Sequence, residues 1–315
     1  MVSAFGFIMV VIAVLMWASA SIGYKKALGA DGVSIRNPIT SMFVRIFCIF
    51  LFMIPFGLLL GDLPSLFSMQ ENVGLYWTYA FLSGVFGVGA EFCYFNALRR
   101  LDSSRVYPLI NTQTLFTFPF SYFIFGESIT ALLAVAAVMM IFGVLFIGGA
   151  KDDADLGMNL LDDEKKKKNY IYGILGGIGT GFFFALGFIT LALQNQIYNG
   201  IVEANTTRTL FYTLLMTVIM IVSPKNRPKY KTDEDREMMR AYLMTGLFGI
   251  ISFGIGDSLY QIGVQLNGTA ISIIIASSAP ILNQVFSIAF LKEKFRWKFM
   301  IGVVLIIFGN ILAII

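Results

Sequence analysis

Two acids stand in stretches that are otherwise apolar, aromatic or glycine. Glu91 lies in the middle of SGVFGVGAEFCYFNALRR (residues 83–100), and Asp257 lies near the matching place in GIISFGIGDSLYQIGVQLNG (249–268). A charged acid at the centre of a membrane helix costs at least about 2.5–3.5 kcal/mol, so it needs a partner, a polar cavity, or both. Two arginines inside apolar runs, Arg45 and Arg208, are candidate partners or anion contacts. The amides Asn111, Gln113, Asn283 and Gln284 can bind polar groups of a small molecule, with Trp17, Tyr94 and Tyr260 as walls. The chain has no histidine, which removes His-based catalysis, the commonest metal ligand and the usual proton shuttle. Its two cysteines, Cys48 and Cys93, sit apart in apolar runs and suggest neither a disulfide framework nor a metal site. No nucleophile–base pair and no Walker A pattern is present. We therefore expect no enzyme, no catalytic residue, no metal or cofactor, and no nucleic-acid partner.

Composition identifies the solvent around these residues. The 315-residue chain is 57% hydrophobic and 13% charged, with a mean hydropathy of +0.77. A soluble domain carries about 25% charged residues. Uncharged runs near the ~20 residues that cross a bilayer recur along the chain. The sequence specifies an all-α polytopic membrane protein. Ten transmembrane helices are expected at about 5–23, 39–60, 75–97, 104–125, 130–149, 170–192, 202–222, 242–264, 270–291 and 298–315. The first lacks the basic start and small-residue cleavage site of a signal peptide, so it is read as a membrane helix. The charged links 151–168 and 223–240 read as solvated linkers, the second with Thr232 as N-cap of a short helix.

The halves 1–149 and 170–315 each hold five spans, separated by a charged linker at 150–169. Arg45 aligns with Arg208, Tyr94 with Tyr260, Ser103 with Thr269, and Phe125-Gly126-Glu127 with Leu291-Lys292-Glu293. Five is an odd number, so duplicated halves must lie inverted in the membrane. Charge agrees: the links after spans one, three, five, seven and nine hold 21 of the 23 Lys and Arg, and the other two are Arg45 and Arg208. Positive residues favour the cytoplasmic side. Both termini are thus expected to face outward, with the basic loops and the 150–169 linker in the cytoplasm.

A chain of five plus five spans, with Trp17-Ala18-Ser19 in the first, an arginine early in spans two and seven, and Phe125-Gly126-Glu127 closing the fourth, resembles the EamA-type proteins of the drug/metabolite transporter superfamily. The resemblance covers the whole chain. It departs at Leu291-Lys292-Glu293, where Leu-Gly-Glu is expected. It implies that spans one, three, four, six, eight and nine surround a central cavity, and that relatives export amino acids or other small metabolites.

Inverted-repeat transporters hold their site near the midplane, where the repeats meet. Glu91 and Asp257, on the equivalent spans three and eight, are expected to line one cavity, where an acid can couple export to proton entry. Their other available role is structural, as partners of Arg45, Arg208 or a hydroxyl. Each arginine lies about six residues into its span, within snorkelling reach of an interface. Arg208 also has Glu203, Asn205 and Thr206 beside it. Pro108, Pro119 and Pro280 are candidate kinks, and Asn205-Thr206-Thr207 and Asn267-Gly268-Thr269 are glycosylation sequons. The expectation is a secondary transporter of a prokaryotic plasma membrane, monomer or homodimer, exporting small polar or amphipathic metabolites such as amino acids by alternating access. Its partners would be the substrate, membrane lipid and protons. A carrier of sugar phosphates or nucleotide sugars, or a lipid flippase, is the alternative.

Overall fold

A computed structural model describes residues 3–28, 37–67, 71–125, 131–149, 160–226, 232–267, 278–293 and 297–312, with Ser272, Ile275 and Ala276 between. Gly126, Glu127, Thr269, Ser277, residues 150–159 and several link cations (Arg36, Lys151, Arg227, Lys229, Lys231, Lys294 and Arg296) lie outside the described residues. Among the described residues there is no strand. The first half contributes α1 (Ala4–Ala27), α2 (Pro38–Leu60), α3 (Val73–Leu98), α4 (Ser103–Ile110), α5 (Gln113–Phe125) and α6 (Ala131–Gly149). The second contributes α7 (Leu160–Ile197), α8 (Ile201–Val222), α9 (Asp233–Gly249), a π turn (Ile250–Gly256), α10 (Asp257–Asn267), α11 (Ala279–Leu291) and α12 (Trp297–Leu312).

Six of these helical stretches are long and apolar enough to cross a membrane: Ala4–Ala27, Pro38–Leu60, Val73–Leu98, Lys168–Ile197, Ile201–Val222 and Asp235–Asn267. Shorter apolar helices run over Ala134–Gly143, Ala279–Leu291 and Met300–Gly309. Apolar side chains such as Leu59, Phe123, Val222 and Phe308 are exposed on the outside, as lipid requires of an integral membrane protein.

Helix starts follow local chemistry. Asn37 accepts from the Ile39 N–H at 3.0 Å, with Pro38 at the first helical position. Thr232 and Asp235 form a reciprocal capping box, each accepting from the other's N–H at 3.1 Å. That cap opens α9, which runs unbroken into the span behind it, so the 223–240 link is helical from Asp233 onward. The other charged link behaves alike, since α7 is already helical at Leu160, ahead of the apolar run that begins near 170.

Span four, expected as one helix, is two. It breaks at Asn111-Thr112, three residues after Pro108, whose ring removes a backbone donor. The Asn111 amide donates to the Tyr107 carbonyl at 2.9 Å and the Thr112 hydroxyl to the Leu109 carbonyl at 2.6 Å, beside the backbone N–H groups of the same two residues, which donate there at 3.3 and 3.2 Å. Span eight is wound as a π turn through its middle. Pro280 stands at the start of α11, where no kink is needed.

The most extensive packings all join the two halves: α3 on α7, α6 on α12, α2 on α8 and α9, α1 on α10 and α11. Neither half has a core of its own. α6 and α12 meet through glycines, as small residues permit in membranes. A Cβ at Gly309 would lie 2.9 Å from the Ala136 carbonyl oxygen, and one at Gly143 2.8 Å from that of Gly302. Gly309→Val must therefore push the pair apart and is expected to cost about 1–3 kcal/mol, read as a lower thermal midpoint of the purified protein. Lys292, just past α11, has φ 55°, the left-handed conformation that costs a residue with a Cβ roughly 1–2 kcal/mol. Lys292→Gly is expected to raise the thermal midpoint, worth about 1 kcal/mol; a lowered midpoint would show that the lysine side chain itself holds this corner.

Candidate functional site

The acids and arginines singled out in the sequence meet in pairs. Arg45 on α2 reaches Glu91 on α3, with Nη1 against Oε1. Arg208 on α8 reaches Asp257 at the start of α10, Nη2 to Oδ2 at 3.0 Å. All four are buried. Glu91 and Asp257 stand 166 residues apart, as do Tyr94 and Tyr260, and each half of the chain holds one ion pair. Both guanidiniums lie over the Phe253 ring, so the pairs are neighbours, and Tyr212 of α8 packs against Gly87, one turn before Glu91 on α3.

Each arginine is buried inside the bundle against a carboxylate. The guanidinium of Arg45 lies 5.6 Å and that of Arg208 4.2 Å from the ring of Phe253, so one aromatic face serves both pairs. Glu203 is not Arg208's partner. It accepts instead from the Asp62 N–H just past the end of α2, while Arg208 donates to Asn205 Oδ1 at 2.5 Å. Asn205 is fully buried in that bond, which removes it as a glycosylation acceptor.

Helix α1 runs between the pairs. Arg45 Nε donates to the Tyr24 hydroxyl (2.9 Å), Tyr24 shares a 2.6 Å bond with Ser252 Oγ, and Ser252 Oγ donates to the Phe248 carbonyl (2.9 Å). Trp17 Nε1 donates to the Ser252 carbonyl (3.1 Å) and to Asp257 Oδ1 (3.0 Å). Asn205 Nδ2 in turn bonds the Phe253 carbonyl and Ser258 Oγ, each at 3.3 Å. The network thus passes from Glu91 through Arg45, Tyr24, the π turn and Trp17 to Asp257 and Arg208. Four buried atoms around it have no hydrogen-bond partner: Glu91 Oε2, Arg208 Nε, Tyr212 Oη and Thr213 Oγ1.

The remaining candidates divide. Trp17 packs on Tyr260 with ring centroids 5.1 Å apart, and Tyr94 meets Tyr24 edge-on at 6.0 Å. Asn283 is buried and holds α11 to α1 through Ser21 and the Ala18 carbonyl, and its Oδ1 is unpaired. Gln284 is buried beside it with Oε1 unpaired. Asn111 braces the break in span four, and Gln113 begins the helix after it. Among the described residues no three acids or cysteines gather closely enough to hold a metal.

Several contacts are absent from any reading of the sequence. Tyr24 lies seven residues after Trp17, hence on the same helix face, and that spacing was the available signal. Ser252, Phe253 and Tyr212 gave none. At the end of the bundle holding the α3–α4 link, Lys25 Nζ donates to the Leu98 carbonyl at the end of α3 (2.5 Å) and to the Leu101 carbonyl in the link (2.7 Å). Glu293 accepts there from the Ser103 and Ser104 N–H groups at 2.8 and 3.2 Å, capping α4.

Apolar helices of membrane-crossing length around two buried ion pairs define an integral membrane protein whose polar centre lies where its two halves join. The chain belongs to the EamA-like transporter family, which matches residues 4–149 and again 171–315. It is similar to an uncharacterized transporter of Archaeoglobus fulgidus, 22% identical over 303 residues that cover 96% of this chain and 95% of the relative. A crystal structure 18% identical shares the fold, with a TM-score of 0.62 over 98% of this chain and 96% of that one. The protein is a membrane transporter.

Removing one partner of a buried ion pair strands the other, at about 3–5 kcal/mol. Arg45→Met and Glu91→Leu are each expected to lose that much. The double variant should regain most of it, because two apolar side chains leave no charge behind. Thermal midpoints of the four proteins complete the cycle; additive losses would show that the pair contributes no coupling.

Proposed function

We propose that this transporter works by alternating access between two inverted repeats of five helices each, with its substrate site at the doubled Arg–carboxylate centre. One observation carries the reading: equivalent ion pairs, one per half, are buried together and share the ring of Phe253. The family match over residues 4–149 and again over 171–315 supports the duplication, and the alternation of basic and cation-free links supports the inversion, with both termini outward. A structural fastening needs no unpaired polar atoms, whereas this centre leaves Glu91 Oε2, Arg208 Nε and Tyr212 Oη free to meet a ligand.

Two guanidiniums and two carboxylates cancel, so the centre has no net charge. A neutral or zwitterionic metabolite such as an amino acid can enter without leaving an uncompensated buried charge. Its carboxylate suits Arg208 and its ammonium suits Glu91. A sugar phosphate or nucleotide sugar would require a proton on one of the acids, which makes anionic cargo the second reading. Export coupled to proton entry fits acids that can be released from their arginines.

The test is a thermal-stability screen of purified protein against amino acids, sugar phosphates and nucleotide sugars at two pH values, repeated with Glu91→Gln. A bound ligand raises the apparent midpoint, by about 2.7 kcal/mol at a hundred times Kd. A zwitterion that stabilises the wild type but not Glu91→Gln is the expected result. Stabilisation that survives the substitution removes Glu91 from the site.

A further inference from the structure

One feature of the centre has no counterpart across the repeat. Residues 250–256 form a π turn, while the equivalent residues 84–90 of α3 are ordinary α-helix. Past the turn, Asp257 and Tyr260 stand 166 residues after Glu91 and Tyr94, whereas the FGIG of the turn (253–256) stands 167 residues after FGVG (86–89). The same motif is wound in two ways in the two halves. π turns are rare and concentrate at functional sites, and two equivalent elements in different windings are what an alternating pair would present at one moment of its cycle.

Ser252 holds the turn from both sides. Its hydroxyl takes the Tyr24 bond that leads to Arg45 and Glu91. Its carbonyl takes the Asp257 N–H, five residues on, together with the Trp17 indole that also bonds the Asp257 carboxylate. Phe253, the next residue, is thereby set between the two guanidiniums. On α3, Gly87 admits the Tyr212 ring, from which a Cβ there would lie 3.2 Å.

We propose that the π turn Ile250–Gly256 is the moving element of the transport site and that Ser252 is its latch, a positioning residue. When the Tyr24 and Trp17 bonds to Ser252 break, the turn rewinds to α-helix. Phe253 swings from between the arginines and Asp257 rotates relative to Arg208, so that the two ion pairs are held in different environments in turn. This rests on the transporter reading above.

A π turn packs more residues into each turn than an α-helix, so rewinding lengthens the helix and rotates its far end. Spin labels at Met244 and Leu266, both exposed and on either side of the turn, measure that change by pulsed electron resonance on the full-length protein in lipid nanodiscs. The wild type should give one main distance. Ser252→Ala should add a second, longer distance in at least about 10% of molecules, lifting a minor state into view. Tyr24→Phe, which removes the same bond from the other side, should do likewise, and carries the test if Ser252→Ala fails to fold. Ser252→Thr should match the wild type. Wild-type distances in both Ser252→Ala and Tyr24→Phe would overturn the proposal, as would broadening without a second distance. No substrate enters this measurement, so its failure leaves the transport reading standing, and failure of the ligand screen leaves these distances unexplained rather than altered.

Discussion

Four charges buried among apolar helices can exist only in mutual compensation. An isolated carboxylate or guanidinium at this depth has neither water nor, in most directions, a dipole to solvate it. The Arg45–Glu91 and Arg208–Asp257 pairs meet that constraint, and much of the architecture follows from it. To bring α2 to α3, and α8 to α10, at hydrogen-bond distance, small residues must line the approaches. Gly84 and Gly87 of α3 lie directly against Phe211 and Tyr212 of α8, and Gly249 lies against the Arg45 stem. To finish solvating the guanidiniums, α1 must run through the centre with Tyr24, and the π turn must offer Phe253.

The same constraint explains why the halves interleave. Each ion pair is formed within one half, but its surroundings draw on the other: Tyr24, which binds Arg45, is fixed by Ser252 of the second half, and Trp17 of the first half binds Asp257. A half standing alone would retain its salt bridge and lose its surroundings. A change at one pair is therefore felt at the other through shared atoms, which is the coupling that an alternating mechanism requires.

The charges were plain in the sequence because a carboxylate or guanidinium in an apolar run stands out. Their pairing was not, since the partner of Arg45 is decided by how α2 lies on α3, and nothing local to either helix encodes that. Aromatic residues were too common, with 31 Phe in the chain, for Phe253 to be told apart from its neighbours. The π turn left no mark, because ISFGIG is compatible with ordinary helix. Conversely, Leu160–Lys168 and Asp233–Arg240 looked like linkers because charge was read as loop, although Glu, Lys and Arg are good helix formers and a helix extends readily from a membrane span into water.

Backbone irregularity and polar side chains concentrate at one place in this bundle for a common reason. In lipid an unpaired carbonyl is costly, so a helix can break or overwind only where side chains satisfy what is freed. The break in span four is closed by Asn111 and Thr112. In the π turn, Trp17 attends the Ser252 carbonyl and Asn205 the Phe253 carbonyl. These donors stand on α1 and α8, whose polar faces are already required by the ion pairs. Charges bring polar side chains into the centre, and those side chains make irregular backbone tolerable there. On the proposed reading, irregular backbone is also what gives this helix its second winding, so the residues that compensate the charges are the ones that set them in motion.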